Sequence, residues 1–327
     1  MIGKYVSDLK REFAGYSGAK LVKDLMAGVT VAAVALPLAL AFGISSGADA
    51  AAGLVTAIIG GFVMSVLSGA SYQISGPTGA MTAVLITLVA KHGMPGMFVT
   101  CLIAGVMLLL CGVFKLGRVV DYIPIPVITG FTSGIALVIA LGQIDNLLGT
   151  VSQGESILQK LGSYFTLGFH VNLASALIGV GSIAIMLAWP KKWGARVPAS
   201  LVAIIAATLA VSLLKPDVAT VGEIPQSLLL SNRLRLSDVS LAKLPAYLSP
   251  AFSVAALALI ESLLCASSAA RMKKEGYDAD RELVSQGVGN ILLPFFGGVP
   301  ATAAIARTSV AIKSGGETRL TGMFHSL

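Results

Sequence analysis

GPTGAMT, from Gly76 to Thr82, and VPATAAIAR, from Val299 to Arg307, are short segments of mostly small residues set inside long apolar stretches, each with a proline at a natural breakpoint. A helix that starts part-way through an apolar stretch leaves its first backbone N–H groups unpaired and carries the positive end of its dipole there. Two such starts facing each other form a site for an anion. Pro77 and Pro300 suit the first helical position, where a missing N–H costs nothing. Thr78 and Gly79 open one half-helix, and Ala303, Ala304, Ile305 and Ala306 the other. Small side chains there let an anion approach the backbone, although they serve close helix packing equally well.

The surroundings of these segments are those of a membrane protein. The chain is 55% hydrophobic and 12% charged with a mean hydropathy of +0.86, which excludes an ordinary soluble domain. Runs without charge, long enough for the roughly 20 residues a spanning helix needs, recur from Asp24 to Arg307 and give about ten segments, two of them short. The net charge of +7 raises the possibility of a nucleic-acid partner, but the basic residues follow topology instead. With the N-terminus in the cytoplasm, Lys4, Lys10, Arg11, Lys20, Lys23, Lys115, Arg118, Lys191, Lys192, Arg196, Arg271, Lys273, Lys274 and Arg281 share that side, as the positive-inside rule demands. The expected location is therefore the inner (plasma) membrane, multi-pass, with no nucleic acid bound. Cys101, Cys111 and Cys265 all fall in apolar segments and read as small core residues rather than as disulfide or metal ligands. The charged N-terminal stretch, with Tyr5, Leu9, Phe13 and Tyr16 at helical spacing, reads as an interfacial entry helix and not as a signal peptide; a disordered polar leader is the alternative.

Along the chain, spans are expected at Leu25–Ser46, Ala51–Leu67, Met94–Phe114, after the Pro124 and Pro126 pair, Val171–Trp189, Val197–Leu214, Pro250–Ala269 and Glu282–Phe296, with half-helices starting at Pro77 and Pro300. Gly130, Gly134 and Gly142 suit close helix packing. If Pro77 and Pro300 are equivalent, the same offset carries Pro37 onto Ile260, beside Glu261, and the matched spacing points to an inverted repeat. Chance coincidence of proline spacing is the competing explanation.

DLMAGVTVAAVALPLALAFGISSG (Asp24 to Gly47), QISGPTGAMT (Gln73 to Thr82), RELVSQGVGNIL (Arg281 to Leu292) and GGVPATAAIARTSVAIKSGG (Gly297 to Gly316) resemble the corresponding helices of the SulP anion transporters, bacterial relatives of the SLC26 exchangers, over nearly the whole chain. The resemblance implies an all-α integral membrane protein with an SLC26/UraA-like fold of two inverted repeats of seven segments, here incomplete after the tenth, with short strands before the half-helices. It also implies a core domain at 24–115 and 250–327, a gate domain at 120–215 and an outer loop at 216–249. Only a short tail is expected after Lys313, without the family's later helices or its cytoplasmic STAS domain.

Glu261 is the acidic residue set deepest in an apolar segment, LALIESLLCASSA, where a carboxylate costs several kcal/mol unless paired or protonated. It reads as an ion-coupling site or as a member of a structural hydrogen-bond network, and related acids in the family are implicated in proton or sodium coupling. Cys265 and Ile305 stand where sodium-coupled members place hydroxyls; neither offers the hard oxygen sodium needs, which favours H+ over Na+. By the same analogy Arg307 lends positive potential to the anion, unless it pairs with Glu261 or snorkels to the surface. Leu38 and Phe42 match pocket-lining positions, with Leu38 in place of a glutamine found in several members. His92, His170 and His325 read as interfacial, and no catalytic set, metal motif or phosphate loop is present, so neither an enzyme nor a cofactor is expected. The sequence thus points to secondary, elevator-like transport of a small inorganic or carboxylate anion such as sulfate, bicarbonate or a dicarboxylate, by proton symport and in homodimers. The alternative is a non-transporting component or one part of a split transporter.

Overall fold

The structure, a computed structural model, describes residues 2–122, 124–154, 157–190, 199–220, 227–235, 237, 239 and 241–327. The helices are α1 (Ile2–Glu12), α2 (Gly18–Ser45), α3 (Ala50–Val55) continued through a π turn (Thr56–Gly60) into α4 (Gly61–Leu67), and α5 (Gly79–Val113). After them come α6 (Ile125–Gly142), α7 (Ile144–Leu148), α8 (Ile157–Leu167), α9 (Leu173–Ala188), α10 (Ala199–Leu214), α11 (Leu244–Lys273), α12 (Ala279–Phe296), α13 (Ile305–Lys313) and α14 (Leu320–Ser326). Two short strands, β1 (Ser75–Gly76) and β2 (Thr302–Ala303), complete it. Gly18–Ser45, Ala50–Leu67, Gly79–Val113 and Leu244–Lys273 are long and apolar enough to cross a bilayer.

Met1–Pro124 with Ile224–Leu327 form one compact unit, and Ile125–Glu223 a second. In the second, Asp145 gathers the hydroxyls of Thr150, Ser152 and Tyr164, and α9 lies against α7 and α10. A Cβ added at Gly130, Gly134 or Gly142 would meet nothing within 4 Å among the described residues, so the close packing expected at these positions is not seen there. Helix α8 was not expected from the apolar pattern, because its polar residues mask it. Lys191, Lys192, Arg196 and the expected span start at Val197 lie outside the described residues.

The first unit is organised around α5 and α12, which cross where neither can carry a side chain. A Cβ on Gly287 would lie 2.4 Å from the backbone N of Leu109, and one on Gly105 2.7 Å from that of Ile291. The expected break between two spans before Met94 is present: Gly93 is non-helical (φ +66, ψ −178), so α5 is two helical segments meeting end to end there. Helix α11 starts at Leu244 and takes Pro250 into its interior, earlier than expected, because Leu244 and Pro245 form its first turn. The tail after Lys313 is not featureless: α14 packs on α2, with Phe324 against Gly28, and buries Thr321, Gly322, His325 and Ser326. His325 is therefore a core residue, 6% exposed, and not interfacial.

Helix α1 does form, and charge fixes it to this unit. Lys4 pairs with Asp278 (2.5 Å), Asp8 with Arg281 (2.8 Å) and Glu12 with Arg319 (2.7 Å), while the Tyr5 hydroxyl donates to Val66 O and its ring lies under both guanidiniums. Burial pushes the Asp278 carboxyl up, but the Lys4 ammonium and the Arg281 N–H outweigh this and hold it below the usual carboxylate range. The Glu12 and Arg319 side chains are 10% and 4% exposed, so the pair is largely shielded from water. Removing one member strands the other, at a cost of about 3–5 kcal/mol. Glu12→Ala is accordingly expected to lower the thermal midpoint of the purified protein by several degrees, whereas Arg11→Ala, which opens only an exposed i,i+3 pair, leaves it unchanged.

Candidate anion site

Strands β1 and β2 pair antiparallel, Ser75 with Ala303 and Gly76 with Thr302, so the starts of α5 and α13 are brought together. The prolines do not occupy the first helical positions expected of them. Pro77 precedes the N-cap Thr78, and Pro300 lies in the extended stretch before the N-cap Ala304. Residues that must form a strand cannot also be helical, and each proline, lacking an N–H, sits where the chain is extended. In consequence Ala303 belongs to β2, Ala304 is the cap, Ile305 and Ala306 open the helix, and Arg307 stands in its first turn rather than two turns in. Aligning the two caps carries Gly76 onto Thr302. Those two residues pair with each other, as a two-fold axis through the pair requires. The proline-based offset is out of register with this axis, and Pro37 falls on Leu263 rather than Ile260.

Neither helix start is closed by a side chain. Thr78 makes no capping bond, because its hydroxyl donates to Glu261 Oε2 at 3.1 Å, and Ala304 has nothing to cap with. Both starts therefore keep free N–H groups and dipole ends. Arg307 is 1% exposed; its Nη2 donates to Pro77 O, and its Nη1 has no partner. Gly76 makes room for this guanidinium: at φ +157 it is a position L side chains avoid, and a Cβ would lie 2.5 Å from Nη1. Glu261, half-buried on α11, forms no ion pair with Arg307 among the described residues and spends its bond on Thr78. The permanent pair and the snorkelling arginine, the two competing readings of Arg307, are both absent.

The remaining expected residues are less tightly gathered. Leu38 and Phe42 are half-buried, one turn apart on α2, a helix in contact with both α5 and α13. Ile305 is 44% exposed, and the Cys265 thiol donates to Thr308 Oγ1 at 3.4 Å. Sequence reasoning missed the polar groups that hold the strands. Ser262 and Thr302 share a hydroxyl contact at 2.8 Å, Gln73 Nε2 donates to Ser262 O at 2.9 Å, and Ile74 N donates to Thr308 Oγ1 at 3.0 Å. Only a cluster of Ser, Thr and Gln beside each breakpoint hinted at them. No grouping of three or more His, Cys, Asp or Glu able to hold a metal occurs among the described residues.

Comparison with known proteins bears on this geometry. Residues 21–327 match the Sulfate permease family. The chain belongs to that family. It is 38% identical to the protein named "Putative sulfate transporter YvdB" of Bacillus subtilis (strain 168), over 96% of this chain and 60% of that one. The bicarbonate transporter BicA of Synechocystis sp. (strain ATCC 27184 / PCC 6803 / Kazusa) is 34% identical, over 93% of this chain and 55% of its own. Among solved structures, the transmembrane domain of a cyanobacterium bicarbonate transporter BicA superposes with a TM-score of 0.86 at 35% identity, covering 94% of this chain and 80% of that domain. SLC26A9, at 17% identity and a TM-score of 0.82, shares the fold. The chain spans between 55% and 60% of the length of the two curated relatives it is compared with. The expected fold class, an all-α membrane fold of the SulP and SLC26 type, is the one found, and the relatives are transporters rather than enzymes.

Proposed function

We propose that this chain carries the anion-binding half of the work of a proton-coupled secondary transporter for a small anion: sulfate, bicarbonate or a dicarboxylate. The observation that supports it is the convergence of two uncapped helix starts on a buried guanidinium with an unpartnered Nη1. The anion sits at the β1–β2 pair, taking N–H groups from Thr78, Gly79, Ile305 and Ala306 and charge from Arg307, beside Ala303 and Ala304, whose N–H is held by Ile74 O, with Leu38 and Phe42 closing the apolar side. Glu261 holds the coupling proton; sodium is disfavoured because Cys265 and Ile305 supply no hard oxygen. The core, 24–115 with 250–327, travels elevator-like against the gate at 120–215. The protein works as a homodimer in the inner membrane with its N-terminus in the cytoplasm.

Glu261 is the residue on which the coupling turns, because its hydroxyl partner Thr78 occupies the N-cap position at the anion-facing start of α5 and leaves that start uncapped. In proteoliposomes, flux of at least one of these anions is expected to rise with an inward proton gradient. Glu261→Gln, which keeps the Thr78 contact without the charge, should abolish that dependence while leaving exchange of anion for anion. Unchanged proton dependence in the variant refutes the role. A second reading, that the chain transports only alongside further helices, rests on its spanning 60% or less of those relatives. Flux from this chain alone would remove it.

A further inference from the structure

Helix α12 carries Glu282, Gln286 and Asn290 at intervals of four, on one helical face, and all three are buried at 2% exposure or less. Each makes a rung to a different part of the site's scaffold. Glu282 accepts from Ser68 Oγ (2.6 Å), Gly69 N (3.0 Å) and Gln286 Nε2 (2.8 Å). Gln286 Nε2 also donates to Ser75 Oγ (2.9 Å), on β1 and next to Gly76. Asn290 grips Ala301, next to β2, at both ends: Oδ1 accepts from its N–H (2.8 Å) and Nδ2 donates to its carbonyl (2.9 Å). A fully buried carboxylate without a cation in contact is costly, and here three donors offset it. The ladder continues outward, since Arg281 Nε donates to Ser68 O and its Nη1 to Asp8 of α1.

We propose that Glu282, Gln286 and Asn290 are positioning residues for the anion site: α12 acts as a jig that sets β1 through Ser75 and β2 through Ala301, and thereby fixes the distance between the two helix starts. The inference deepens the transport reading and rests on it for the anion. Anion affinity depends on that spacing, because charge-assisted bonds from two backbone termini weaken steeply when one end drifts. Turnover, set by movement of the whole unit, does not.

The test uses the full chain in detergent or liposomes with Ser75→Ala, Gln286→Ala, Asn290→Ala and the double variant Ser75→Ala/Gln286→Ala. Hydrogen exchange of the anion-free protein is expected to quicken by about tenfold at residues 72–79 in Ser75→Ala and Gln286→Ala, and at 299–306 in Asn290→Ala, with 18–45 unchanged in all three. The half-saturating sulfate or bicarbonate concentration should rise about tenfold with the maximal rate within twofold, and the double variant should add nothing to Gln286→Ala. Exchange unaltered at 72–79 in both β1 variants overturns the proposal. So does a fall in maximal rate at constant half-saturation. Ser75→Ala, the loss of one oxygen atom, keeps the test available if Gln286→Ala does not fold. If wild type moves neither anion, the transport reading fails, and exchange alone then decides whether the jig exists.

Discussion

Arg307→Ala is expected to cut anion uptake by about a hundredfold or more while leaving the anion-free protein as stable as wild type. The guanidinium is 1% exposed, holds Pro77 O with Nη2 and leaves Nη1 unpartnered. A buried cation with an open donor is a cost borne by the empty protein, so its removal relieves as much as it takes away. With anion bound, the balance reverses. Charge-assisted hydrogen bonds of roughly 1.5–3 kcal/mol each are then lost, and two of them account for the hundredfold. Arg307→Lys should recover only part, since a point charge on a flexible stem does not reproduce the planar fork held against Pro77. The measurement is the sulfate-dependent or bicarbonate-dependent shift in thermal midpoint, together with liposome flux. A shift that persists in Arg307→Ala would place the anion elsewhere.

That arginine was visible in the sequence, as was Glu261, because a charge inside an apolar run has few reasons to be there. The breakpoint at Gly76 and Pro77 was equally plain, and the start of α5 lies within two residues of it. Its counterpart was misplaced: α13 begins five residues beyond Pro300, at Ile305. What delays it is long-range and leaves no local mark. Ala301 is taken by Asn290, Thr302 by Ser262, and Ala303 by its pairing with Ser75, so the chain stays extended until those partners are satisfied. The spacing of Glu282, Gln286 and Asn290 could be read as one helical face, yet which atoms each would meet depends on residues more than 200 positions away in the chain for the first two. Helix α14 was missed for a related reason. A seven-residue helix has little stability of its own, and it exists because α2 covers it.

The largest loss of stability should follow from adding one carbon at Gly53. Helices α2 and α3 form a tight hairpin: Asp49 caps α3 by accepting from Ala52 N at 2.7 Å, and Gly47 turns the chain at φ +80. On that turn the two backbones meet. A Cβ on Gly53 would fall 1.9 Å from Ala39 O and 2.9 Å from Gly43 Cα, and one on Gly43 2.4 Å from Asp49 O. Every clashing atom is backbone, so no side chain can swing aside, and the helices must separate. Overpacking of this kind costs roughly 3 kcal/mol or more, at the upper end of what such insertions do. Gly53→Ala is therefore expected to lower the thermal midpoint well beyond the few degrees of a surface change, whereas Gly18→Ala, with no atom within 4 Å, should leave it level or slightly raised. The separation also moves α2, and with it Leu38 and Phe42, away from α5 and α13. Whatever folded Gly53→Ala survives at low temperature should consequently bind anion more weakly, and a variant with wild-type affinity would show that α2 is not a wall of the site.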